Sequence, residues 1–225
     1  MVPTANVLDL HLGEPTKVAI AQTIIAGWTG RDKDAQLRHI RELEELGIKG
    51  PASTPVFYRV AARRLTTASA IEVSGEASSG EVEFVLLRYG GKLWVGVGSD
   101  HTDREAEAHG ITLSKQMCDK PVATEFWEMA DVVGHWDRLI LRSTIFENGK
   151  PVLYQEGPVT TMLSPVDLLG LWNAPFDEGS VLFCGTLAAR DGIRPAGRFE
   201  FELEDPVLGR RIAHGYDCVS LPVAG

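Results

Sequence analysis

Glu81 and Glu83 sit two residues apart in Gly80-Glu81-Val82-Glu83-Phe84-Val85-Leu86-Leu87, and an extended chain projects such a pair from one face with Cα atoms roughly 7 Å apart. Val82, Phe84 and Leu86 make one face apolar, and Val85 and Leu87 make the other apolar as well, the pattern of a strand buried on both sides. Two like charges at such a place are costly unless paired or bound to a metal. Donors that are all oxygen favour Mg2+ or Mn2+ over zinc. The pattern also suits a strand whose first residues emerge into solvent, as expected of Glu200, Glu202 and Glu204 opposite Phe199, Phe201 and Leu203.

A second concentration of charge follows an apolar run. Gly96-Val97-Gly98-Ser99-Asp100-His101-Thr102-Asp103-Arg104-Glu105 places five ionisable groups in the six positions from Asp100. Such density at a strand end suggests a site. Asp100 could supply a third oxygen ligand and Arg104 a bidentate clamp for a substrate carboxylate; a helix start capped by Ser99 or Asp100 is the alternative. It is no nucleotide fingerprint, because the third glycine of GxGxxG is missing and the acids would repel a pyrophosphate. Lys115, in mixed surroundings, could be half buried with a depressed pKa, or simply solvated. His39 and Glu42 are neighbours at i, i+3 on a helix, where the carboxylate could orient the imidazole and raise its basicity. Arg38, Arg41, Glu44 and Glu45 also allow that face to be a charged surface. There is no GxSxG elbow, no HExxH and no P-loop, and Cys118 lacks an evident histidine partner.

Strands must position most of these groups. Val7–Leu12, Val18–Ile25, Val56–Ala61, Ala70–Val73, Val82–Leu87 and Leu93–Val97 read as strands, separated by Gly and Ser clusters. Further along, Arg138–Phe146 and Val152–Gln155 flank Asn148-Gly149, a hairpin signal, and Ser180–Phe183, Phe199–Leu203 and Arg211–Val219 complete the set. Leu37, Ile40, Leu43 and Leu46 recur every third position, so a helix is expected over Asp34–Leu46, ended by Gly47. Shorter helices are expected over Ala123–Val133 and Pro165–Trp172. The fold class is β-rich α+β.

Composition narrows the partners. The 225 residues are 44% hydrophobic and 24% charged, an ordinary globular profile, and 31 acidic against 22 basic side chains leave a net charge of −9. With no segregated basic patch, nucleic acid is not an expected partner. Three scattered cysteines, Cys118, Cys184 and Cys218, form neither a zinc motif nor a disulfide framework and read as reduced thiols. Without a signal-peptide pattern or a long apolar run, no membrane association is expected and the location is read as cytoplasmic.

Read in order, these residues resemble the fumarylacetoacetate hydrolase family, and within it a bacterial subgroup of unknown function. His39-Ile40-Arg41-Glu42 with Pro55-Val56-Phe57-Tyr58 looks like the family's HxxE lid segment, and Glu81-Val82-Glu83 matches its ExE. Ser99 to Glu105 matches its N-D-x-S-x-R-D, and Lys115 falls where its lysine should. Asn148-Gly149 with Gln155, then Gly179 ahead of Phe183-Cys184-Gly185-Thr186, resembles its C-terminal signature. Ser99, Thr102, Leu187 and Gly197-Arg198 depart from that pattern.

The resemblance implies a mixed β-roll with a pseudo-barrel core in one domain over residues 1–225: N-terminal strands and a lid-like helix over 1–60, and the β-roll over 61–225. It implies a homodimer in which Glu81, Glu83 and Asp100 hold Mg2+ or Mn2+. The implied activity is hydrolytic carbon–carbon cleavage or decarboxylation of a small 2-oxo or 1,3-dicarbonyl acid, through an enolate held at the metal. His39, oriented by Glu42, would activate water, and Lys115 would stabilise negative charge or deliver a proton. Arg104, Gln155 and Thr186 would contact the anionic substrate. A hydratase or isomerase of 2-oxo-alkenoic acids, or a non-catalytic metal-dependent binder of organic acids, are the alternatives.

Overall fold

The structure, a computed structural model, describes residues 6–34, 37, 41, 51 and 53–224. Two sheets carry the architecture. The first has six strands in the order Trp127–Glu128, Lys92–Ser99, Val82–Tyr89, Ser180–Thr186, Gln22–Gly27 and Val56–Val60. Its only parallel neighbours are Ser180–Thr186 and Gln22–Gly27. The second sheet orders five strands as Lys150–Pro158, Ile140–Glu147, Arg198–Asp205, Arg210–Leu221 and Ala70–Ser74, the last pairing in parallel. This is the strand-rich α+β class that the alternating pattern predicts.

The doubly apolar strand Val82–Tyr89 explains the layering. Its Val82, Phe84 and Leu86 share a core with Leu141, Phe199, Phe201 and Tyr216 of the second sheet. Val85 and Leu87 point into a different core, shared with Leu8, Leu10, Val18 and Ile20 of an N-terminal hairpin formed by Asn6–His11 and Pro15–Ile20. One strand therefore anchors both layers, and emptying its Phe84 position with alanine would cost about 3–5 kcal/mol.

Three expectations change in detail. The run Val18–Ile25 is two strands, broken at Ala21, whose N–H donates to Gly179 O at 2.9 Å. Gly179 has φ +76°, and a Cβ there would overlap Ala19 O, so the crossing of hairpin and sheet requires glycine. The helix expected over Ala123–Val133 is confined to Met129–Val132 and runs on as a 3-10 turn to Arg138. Buried Phe126 and Trp127 draw the preceding residues onto the sheet edge instead, where Trp127 pairs with Val95. Finally, Glu200, Glu202 and Glu204 are not simply solvated. They form a half-buried ladder with Arg198 at 2.9 Å from Glu200, Arg142 at 3.0 Å from Glu202, and Arg142 also bonded to Glu204.

Of the helix expected over Asp34–Leu46, the described residues Asp34, Leu37 and Arg41 are helical. His39 and Glu42 lie outside the described residues. The Asn148-Gly149 hairpin is formed, with φ values of 51° and 76° at its two turn residues. Among the described residues no helix is long and apolar enough to cross a membrane.

Candidate metal centre

The hairpin of Val82–Tyr89 and Lys92–Ser99 builds the site. Val82 pairs with Ser99, and beyond that register Asp100 N–H donates to Glu81 O at 3.0 Å. The end of one strand is thereby fixed beside the start of the other. Oxygen atoms of Glu81, Glu83 and Asp100 all fall within 4.8 Å of one another. Glu83 is 2% exposed and Asp100 0%, so the carboxylates are gathered where water can screen them little.

Two lysines converge on Asp100. Lys115, from the helix Ile111–Met117, donates to Oδ2, and Lys120 lies 3.0 Å from Oδ1 while also donating to His101 O. Burial alone would raise the Asp100 pKa, but the two ammonium groups outweigh it and hold it at about 2. Lys115 is 7% exposed and is not half solvated. Burial opposes its charge, yet Asp100 and Glu81 prevail and raise its pKa, the reverse of the depressed value considered from its sequence surroundings. It is Lys120, 0% exposed, whose pKa burial lowers. Glu83 moves the other way from Asp100: burial, then Asp100 and Glu81, push its pKa well above the usual carboxylate range. Its Oε2 accepts Gly185 N–H at 2.6 Å.

These features fit a divalent cation. The donors are all oxygen, Glu83 and Asp100 are buried, and the three carboxylates share one space, where burial first and the neighbouring acids second raise the Glu83 pKa. Asp100 Oδ1 faces Lys120 without a well-directed hydrogen bond, leaving a buried acceptor available.

Arg104, Gln155 and Thr186 line a cavity of about 630 Å3 into which Glu81, Glu83 and Lys115 open. The Arg104 Nε donates to Ser79 Oγ at 2.7 Å and its Nη1 lies 2.9 Å from Glu107, while Nη2 lies 3.1 Å from Glu81 as an ion pair without a directed hydrogen bond. Gln155 and Thr186 lie on the wall as a bracket. Gln155 Oε1 accepts Val82 N–H and the Ser143 hydroxyl, and its amide donates to Thr186 Oγ1 at 2.8 Å and Leu187 O at 2.6 Å. Thr186 in turn donates to Val82 O. The structure thus unites Glu81, Glu83, Asp100, Arg104, Lys115, Gln155 and Thr186 in one neighbourhood.

The helix-cap alternative falls elsewhere. Asp103, not Ser99 or Asp100, caps the short helix Arg104–Glu107 by accepting Ala106 N–H at 2.8 Å. His101 is a buried neutral imidazole between Tyr216 OH and Ser78 Oγ, each at 2.8 Å, with its pKa driven to about 3 by burial and by Lys120 and Arg104. Sequence reasoning assigned no role to Lys120 or Gly185. A lysine just ahead of the apolar Pro121-Val122-Ala123 was a signal for the first; the second needs the φ of +97° that only the fold reveals.

A family model described as "Protein of unknown function (DUF2848)" matches residues 26–216. No curated protein matches the sequence. Among solved structures, fumarylpyruvate hydrolase from Pseudomonas aeruginosa in complex with Mn2+ and pyruvate is similar at TM-score 0.64 and 16% identity, covering 96% of this chain and 97% of that one. Yeast ynq8, a fumarylacetoacetate hydrolase family protein, gives 0.63 and 17%, with 91% and 95% covered. 5-Carboxymethyl-2-hydroxymuconate delta-isomerase from Mycobacterium smegmatis gives 0.64 and 14%, with 96% and 90% covered. These likenesses establish the fold as the fumarylacetoacetate hydrolase type.

Proposed function

The chain belongs to the DUF2848 family, and from the chemistry of its own site we propose that it is a divalent-metal-dependent hydrolase or decarboxylase of a small 2-oxo or 1,3-dicarbonyl acid. The observation that carries this reading is the trio of half-buried Glu81 with buried Glu83 and Asp100 at a cavity wall, Lys115 beside it. The trio would hold Mg2+ or Mn2+, which when bound supplies Lewis acidity toward carbonyl and carboxylate oxygens. That Mn2+ and pyruvate occupy the similarly folded Pseudomonas hydrolase supports the choice of ion and ligand class.

The chain's own groups perform the rest. Lys115, kept protonated by Asp100 and Glu81, presents positive charge to the oxygen on which negative charge develops as an enolate forms. In the cleavage reaction His39, oriented by Glu42, takes a proton from water. The hydroxide adds to the far carbonyl, the carbon–carbon bond breaks, and its electron pair departs as the enolate, which is then protonated on carbon. Arg104 fixes Glu81 from the cavity side, and Gln155 and Thr186 hold the wall opposite the reacting acid. A homodimer in the cytoplasm completes this reading.

The test is purified protein with Mg2+ or Mn2+ against acylpyruvates, oxaloacetate and 2-oxo-alkenoates, following enol absorbance and identifying products. Shorter acids from an acylpyruvate, or CO2 from oxaloacetate, support the proposal. Hydrated or isomerised products without bond cleavage replace it with hydratase or isomerase chemistry, and intact substrates with metal bound replace it with a binder.

A further inference from the structure

Away from the carboxylate trio, the cavity that Lys115 opens into is walled by aromatic and aliphatic groups: Trp28, Tyr58, Ile111, Tyr154, Leu187 and Ile193. We infer that the acid received here carries one carboxylate, at its 2-oxo end, and an uncharged apolar group at the other. This rests on the proposed metal-assisted reading and specifies its substrate class.

Charge points the same way as the walls. Among the described lining residues, four carboxylates, Asp32, Glu81, Glu83 and Glu107, face two cations, Arg104 and Lys115. A divalent cation on the trio would answer the charge of Glu81 and Glu83, and the anionic head of a 2-oxo acid would be drawn to that cation. A second carboxylate approaching Arg104 would meet Glu107, which already holds its Nη1, and like charges brought together in a partly desolvated space repel.

Among the described residues, the cations at the cavity are already held by carboxylates of the protein. Lys115 is committed to Asp100 and Glu81. Arg104 would be the natural clamp, but Glu107 holds its Nη1, Ser79 takes its Nε, and its Nη2, which has no directed hydrogen bond, is ion-paired with Glu81, so neither two-nitrogen edge is clear while Glu107 stays in place. Arg194 stacks on the outer wall, 5.2 Å from the Tyr154 ring centroid, and is likewise bound, to Glu147 at 2.6 Å and to the carbonyls of Arg190 and Gly192. Glu107 is thus a specificity-determining residue: it occupies the arginine edge that a dicarboxylic acid would need. The wall contributes positively, since apolar atoms of a ligand gain by leaving water for contact with indole, phenol and aliphatic surfaces.

The experiment compares 2-oxohexanoate with 2-oxoadipate, acids of equal length that end in methyl and carboxylate respectively. Each is titrated calorimetrically into the Mn2+-loaded full chain and into its Glu107→Gln variant. The expected result is at least about tenfold tighter binding of 2-oxohexanoate by the unaltered protein. In the variant, freed Arg104 should strengthen 2-oxoadipate binding several-fold while 2-oxohexanoate changes little. Equal affinities, or tighter 2-oxoadipate binding to the unaltered protein, overturn the inference and leave the proposed chemistry standing. A variant that weakens both acids equally also overturns it, because Glu107 would then act only through folding. Binding of Mn2+ with neither acid following overturns the proposed function and the inference together.

Discussion

Lys120 Nζ lies 3.0 Å from Asp100 Oδ1, and neither side chain has any exposure to solvent. With Lys115 on Oδ2, the aspartate is clasped between two ammonium groups, so its negative charge persists in a setting that would otherwise protonate it. The arrangement holds Asp100 ready as a ligand and ties it to two separate elements.

Removing one side of the clasp should be expensive. Lys120→Met strips a buried charge from its partner, and such a loss costs about 3–5 kcal/mol. Urea unfolding of the metal-free protein should show a correspondingly lower midpoint. An unchanged midpoint would mean that Lys115 alone suffices for Asp100.

Metal binding and turnover should separate by residue. Glu83→Gln is expected to abolish Mn2+ binding in calorimetry and metal-dependent activity together, because it removes a ligand charge at the centre of the trio. His39→Ala should lower turnover by roughly 100-fold or more and leave Mn2+ affinity nearly intact. Full turnover in His39→Ala would remove that histidine from the mechanism.

His101 makes stability depend on pH in a predictable direction. Its folded pKa of about 3 lies below the ordinary value of 6.5, so between these limits the unfolded chain binds the extra proton. The contribution is fully present above pH 6.5 and is lost as pH falls toward 3, by about 1.4 kcal/mol per unit. Unfolding free energies of the wild-type protein and His101→Gln, compared from pH 7 to 4.5, should differ in slope by that amount. Parallel curves would refute it.

Gly185→Ala should damage the centre without touching a ligand. At φ +97° a Cβ would overlap Thr29 Oγ1, so the backbone must move, and with it the N–H that Glu83 accepts at 2.6 Å. A loss of roughly 2–4 kcal/mol in stability and weaker Mn2+ binding are expected. A variant with native stability and native metal affinity would show that this contact is dispensable.

The readability of these groups in the sequence followed the range of the interaction. Strand periodicity exposed the two-faced burial of Val82–Leu87, and the i, i+2 spacing placed Glu81 and Glu83 on one side before any partner was known. Asn148-Gly149 announced its hairpin because turn geometry is local. Lys120 was harder: its burial depends on Asp100, twenty residues away, and on a carbonyl that no local pattern reveals. Within the expected helix Ala123–Val133, residues Ala123–Glu128 are not helical because Phe126 and Trp127 gain more by packing at the sheet edge than a helix there would provide. The pairing of Arg104 with Glu81 and Glu107 is set by the fold, since the sequence shows an arginine among acids but not which atoms meet.

The hairpin that carries the carboxylates has a kinetic consequence. Glu81, Glu83 and Asp100 are joined by only the two strands Val82–Tyr89 and Lys92–Ser99 and the Gly90-Gly91 turn between them. Closing so short a loop is among the fastest events available to a chain, on the order of microseconds. The three oxygens can therefore assemble on the nascent polypeptide before the four later strands of the second sheet, from Ile140 onward, have been synthesised. A metal ion available at that moment would act as a template for the first sheet as well as a tenant of the finished one.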